Sequence, residues 1–76
     1  MKQYDLVELI SDKDKYKKFG VKKGDFGAVI EKVDSGKYQV IFSEFYTGKD
    51  IADIIVDEED LLVHDFVPKE KYPPKN

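Results

Sequence analysis

The chain has 76 residues, 38% of them charged and 41% apolar, with a formal net charge of −3. That length fits one small domain, which buries about 60–65% of its unfolded surface and needs a compact core. Without cysteine and with one histidine, disulfides, thiolate metal sites and an ordinary zinc centre are excluded; because every basic residue is a lysine, the planar fork that reads guanine edges is excluded too.

The opening residues, Met1-Lys2-Gln3-Tyr4-Asp5, lack the apolar run of a secretory signal, so the expected location is the cytoplasm. Tyr4-Asp5-Leu6-Val7-Glu8-Leu9-Ile10 is short, apolar and bounded by Ser11-Asp12, which predicts a first strand with Val7 and Leu9 sharing a face. From Ser11 to Lys23 the chain is dominated by charge. The spacing of Tyr16 and Phe19 admits one short helical turn from about Ser11-Asp12 to Phe19, stopped by Gly20, and a long ordered loop fits equally. On either reading Phe19 and Val21 are expected in the core.

A second strand is predicted over Phe26-Gly27-Ala28-Val29-Ile30-Glu31-Lys32-Val33, entered from a tight turn at Gly24. Gly27 is costly in a strand, so it predicts a bulge or a close backbone approach. Asp34-Ser35-Gly36-Lys37 suits a hairpin turn with Gly36 at positive φ. The third strand then alternates, with Tyr38, Val40 and Phe42 facing inward. Glu44 to Asp50 reads as a connection, and the β-branched run Ile51-Ala52-Asp53-Ile54-Ile55-Val56 as a fourth strand. Asp57-Glu58-Glu59-Asp60, too polar for burial, suits a single 3₁₀ turn before a fifth strand, Leu61 to Phe66.

Five short strands enclose a core at this size only when closed or nearly closed, so the predicted fold is all-β: a five-stranded small barrel. Its first loop is long and charged, and its C-terminal tail is Pro-rich and extended. The domain is placed at residues 1–67 and the tail at 68–76.

The order of these elements resembles the Src-homology-3-like small barrels. Lys23-Gly24-Asp25-Phe26-Gly27-Ala28-Val29-Ile30 is similar to the Lys-Gly-x-x-Gly-x-Val turn of KOW-type modules. The Tyr4-Asp5-Leu6-Val7-Glu8-Leu9 strand followed by Gly20-Val21-Lys22-Lys23-Gly24-Asp25-Phe26-Gly27 looks most like a family of short bacterial proteins of unknown function. The resemblance covers about residues 4 to 64. It implies a fold and carries no binding residue, since such barrels serve many partners; for KOW modules the implied partner is RNA or a ribosomal protein.

Catalysis is not expected. His64 has no cysteine to activate, and Ser11, Ser35 and Ser43 fall at strand ends or turns. No metal or cofactor is expected either, because the acidic run lacks the spaced ligand pattern of a calcium loop. The informative feature is segregation of charge. From Asp12 to Lys23, six lysines against two acids leave +4; from Glu44 to Asp65, eight acids against Lys49 leave −7. The acidic half predicts a non-enzymatic module binding a basic protein, such as an immunity or inhibitor protein opposing a bacterial effector. Its contact residues would be Asp53, Asp57, Glu58, Glu59 and Asp60, with Phe45 and Tyr46 as apolar anchors. The alternative is a KOW-like RNA- or ribosome-associated module using Lys15, Tyr16, Lys17, Lys18, Lys22 and Lys23.

Overall fold

Alternate residues of each strand turn inward and build one core. Val7 and Leu9 come from the first strand, Val29 from the second, Tyr38, Val40 and Phe42 from the third, Ile54 and Val56 from the fourth, and Leu61 from the fifth. The computed structural model describes residues 1–44 and 47–66. Their order is β1 (Leu6–Leu9), α1 (Asp14–Lys17), β2 (Phe26–Asp34), β3 (Lys37–Glu44), β4 (Lys49–Asp57), a 3₁₀ turn (Glu58–Asp60) and β5 (Leu61–His64). Phe45, Tyr46, the 67/68 boundary and the tail lie outside the described residues. Among those residues, no helix is long and apolar enough to cross a membrane.

The strands form a single antiparallel sheet in the order β4-β3-β2-β1-β5. β2 is its spine, pairing with β1 through Phe26 to Ala28 and with β3 from Gly27 to Asp34. Register shifts between Val29 and Glu31 and between Lys32 and Asp34 add local twist, which curls the sheet around the core. Gly36, at φ +68°, supplies the left-handed residue that the β2–β3 turn needs.

The expected close approach at Gly27 is present. A Cβ there would lie 2.6 Å from the Ile41 carbonyl oxygen and 2.9 Å from Val40 Cγ1, so β3 packs directly over bare backbone. Several strand limits differ from expectation. β1 is shorter at both ends, and β2 and β3 each run one residue further, to Asp34 and Glu44. β4 begins at Lys49, because Asp50 and Lys49 still pair with Ser43 and Glu44 across a bulge, and ends at Asp57, and β5 ends at His64.

The sheet is not closed into a barrel by a ladder between its edges. The segment around α1 covers the core on that open side instead: Tyr16 and Val21 are both buried within the core cluster. Expectation put Phe19 there with Val21, but Phe19 is 50% exposed. Gly20, at φ +84°, reverses the chain after Phe19, so Val21 turns in while the inward position one turn earlier belongs to Tyr16.

Candidate functional site

The two charge blocks of the sequence meet in space. Tyr16 carries its ring into the core and donates its hydroxyl to Asp60 Oδ2 at 2.5 Å, while the Tyr16 hydroxyl oxygen accepts the Asp57 N–H at 3.2 Å. Lys13 Nζ reaches Asp60 Oδ2 at 3.0 Å. Asp57 is held between two ammonium groups, Lys15 on Oδ2 and Lys37 Nζ on Oδ1 at 2.8 Å. The Ile10 N–H bonds the Asp60 carbonyl at 2.9 Å, so the 3₁₀ turn is tied to the start of the first loop as well as to α1.

This network explains two departures from expectation. Asp60, read as too polar to bury, is 5% exposed, because a phenol and an ammonium satisfy its carboxylate. Tyr16, expected among exposed lysines, is 1% exposed and is unavailable as a stacking platform. Both residues hold the fold, and neither presents a contact surface.

The protonation behaviour follows from these contacts. The hydrogen bond from Lys15, then that from Lys37, holds Asp57 at about 2, below its ordinary 3.8. Burial, then the bond to Asp60, pushes the Tyr16 phenol well above its ordinary 10.0. Bonding to Asp60 raises Lys13, and bonding to Asp57 raises Lys15. A lowered carboxylate stabilises the fold above pH 3.8 and loses that contribution as pH falls through about 2. A raised phenol stabilises it below pH 10.0 and loses that contribution at higher pH. The urea midpoint is therefore expected to fall on both sides of this window. Asp57→Asn should flatten the acid limb and weaken the alkaline limb only in part, since burial and the bond to Asp60 are the larger causes of the Tyr16 shift; an acid limb that survives the substitution would assign it elsewhere.

What remains of the acidic half is a surface of carboxylates with few cationic partners among the described residues. Asp53 is exposed and, among those residues, accepts a bond from the neutral Gln39 amide at 2.8 Å. Asp50 takes a bond from Ser43 Oγ at 3.0 Å, and Glu58 one from the Tyr38 hydroxyl at 3.2 Å. Glu59 is exposed and lies 4.0 Å from Lys13 Nζ, at the limit of an ion pair. Gly36, Asp57, Glu58 and Glu59 line an open hollow of about 270 Å³. Along β4 the half-exposed Ile55 follows Asp53 on the outward face, since their partners Gln39 and Ile41 also alternate outward on β3. Ile55 was not among the expected contacts; its apolar run in the sequence is consistent with burial on both faces.

The lysines divide likewise. Lys15 is committed to Asp57, and Lys22 Nζ stands 3.4 Å from Asp25 while remaining well exposed. Lys17, Lys18 and Lys23 are exposed and form no ion pair among the described residues; Lys18 Nζ lies 5.4 Å from the Phe19 ring centroid. His64, on the edge strand β5, bonds Glu8 Oε1 at 2.8 Å and packs its ring 4.8 Å from that of Phe26. Among the described residues no group of three or more His, Asp or Glu is arranged to hold a metal ion. Comparison with protein-family models, with curated proteins and with solved structures finds no match for this chain.

Proposed function

We propose that this chain is a non-catalytic, Src-homology-3-like small-barrel module that docks a basic protein against the face built by β4 and the 3₁₀ turn. It would act in the manner of a small acidic immunity or inhibitor protein opposing a basic bacterial effector, in the cytoplasm. The strand order and the curled β2 support the barrel reading, with α1 in the gap that a closing ladder would fill.

One observation carries the docking surface: among the described residues Asp53 and Glu58 form no ion pair and Glu59 only a long one to Lys13, and the same β4 segment and 3₁₀ turn present a half-exposed Ile55 and an open, acid-lined hollow. Fixed carboxylates steer a basic partner on approach, an apolar residue between them supplies desolvated contact, and the hollow accepts a lysine or arginine side chain. Asp57 and Asp60 lend shape to this face and little charge, because lysines already neutralise them.

The test follows from that division. In a partner captured with the intact protein, the triple variant Asp53→Ser, Glu58→Ser, Glu59→Ser is expected to lose at least about tenfold in affinity, mainly through a slower, less salt-sensitive association rate. Asp57 and Asp60 stay in place, so an affinity change does not reflect a broken fold. Unchanged affinity and salt dependence would exclude this face.

A further inference from the structure

Four exposed lysines flank one exposed aromatic ring in the turn after α1, none of them bound to the Asp57 and Asp60 network, and we infer that this turn is a binding site for single-stranded nucleic acid. Lys17 and Lys18 precede Phe19, and Lys22 and Lys23 follow it after the reversal at Gly20. All four are exposed, Phe19 is 50% exposed, and Lys18 Nζ sits 5.4 Å from its ring centroid. The only acid paired with any of them among the described residues is Asp25, bonded to Lys22.

The turn is held in shape before any ligand arrives. The Phe19 and Val21 N–H groups bond the Tyr16 carbonyl at 3.0 and 3.3 Å, and the Gly20 N–H bonds that of Lys17 at 2.9 Å. Beyond the reversal, the Lys22 N–H donates to Asp25 Oδ2 at 2.9 Å. Val21 anchors the middle of the turn in the core. Phe19 is thereby presented outward on a backbone that is already ordered, so binding costs side-chain freedom alone.

The chemistry selects the ligand. Lysine ammonium groups attract phosphates as point charges without reading bases, and a flat ring between them stacks a base of any identity. An acidic peptide would use the charges and leave the ring idle; a duplex would bury its bases and meet the acidic half of the same small domain. An unpaired strand satisfies both the ring and the cations. The turn abuts the start of β4, where Gly20 and Lys22 line a hollow with Glu44, Lys49, Asp50 and Ile51, but that hollow includes none of Asp53, Glu58 and Glu59, so either assignment stands or falls without the other.

Fluorescence anisotropy of a labelled oligouridine of about twelve nucleotides, titrated with the intact protein at low salt, tests the assignment. Binding is expected to weaken with salt at a log–log slope of about −2 to −3, as four phosphate contacts on a single strand require. Phe19→Ala should weaken binding by about five- to a hundredfold at unchanged salt slope, and Phe19→Tyr should restore it. Replacing Lys17, Lys18, Lys22 and Lys23 by alanine should abolish binding and leave the thermal midpoint nearly unchanged. Absence of binding at low salt overturns the proposal. So does equal binding by Phe19→Ala, or equal competition by inorganic polyphosphate, either of which would reduce the site to a phosphate sink.

Discussion

Tyr16→Ala is expected to remove about 3–5 kcal/mol, the cost of emptying a buried aromatic position, against a total of about 4–11 kcal/mol for a domain of this length. The ring is one of the largest fully buried side chains in the protein and covers the side of the core that the sheet leaves open. Its loss also strands the Asp60 carboxylate on Lys13 alone and leaves the Asp57 N–H without its acceptor. Tyr16→Phe separates the two contributions: it keeps the ring, deletes the hydroxyl and should cost about 1–3 kcal/mol. Phe19→Ala, three residues on, should change stability by no more than about 0.5 kcal/mol. Urea unfolding of the three variants checks the ranking. A Phe19→Ala cost matching that of Tyr16→Ala would mean that the wrong aromatic has been placed in the core.

Gly27→Ala is the second large effect, at about 2–3 kcal/mol, because the new methyl meets backbone that has nowhere to go. The contact at 2.6 Å is with the Ile41 carbonyl oxygen, which belongs to the β2–β3 pair itself, so relief requires the two strands to part. Val40→Ala removes the lesser contact at 2.9 Å but empties a fully buried position, so it serves as a background: Gly27→Ala added to it should cost nearly as much as in the wild-type chain. Gly48→Ala isolates the other way in which glycine matters. It has nothing within 4 Å and a φ of +74°, so its cost is backbone strain alone, about 1–2 kcal/mol. A Gly27→Ala cost that vanishes in the Val40→Ala background would trace the clash to the side chain and not the backbone.

The strands were legible because period-two alternation is a local property. Tyr38, Val40 and Phe42 read inward from three letters of sequence and are buried, as are Val7 and Leu9. Gly27 was legible for a similar reason: a glycine inside a β-branched run has few explanations, and close approach is one. The charged loop was legible in part: its helical turn, the stop at Gly20 and the burial of Val21 were expected, and the choice of buried aromatic was not. Tyr16 and Phe19 are both aromatic, both flanked by lysine and one helical turn apart, and what separates them is a carboxylate 44 residues away. No local pattern reports that partner. The same distance hid the neutralisation of the acidic run, for a sequence shows two blocks of opposite sign and cannot show that Lys13, Lys15 and Lys37 converge on Asp57 and Asp60. A local clue did exist: an acid directly before an apolar strand is placed to be drawn inward with it, as Asp60 is with Leu61.

The tie between Tyr16 and Asp60 also sets the order of events when the chain folds. β1 obtains its outer neighbour from residues 61 to 64, and Lys13 and Lys15 obtain their counter-charges from residues 57 to 60. On a ribosome, therefore, the first fifty or so residues hold strands that can pair early, β1 with β2 and β2 with β3, while the outer edge of β1 and the lysines of the first loop wait for residues 57 to 64. Such dependence on distant contacts makes for slow folding. The polar knot beneath the first loop is the final fastening of the molecule, made after its last strand has emerged.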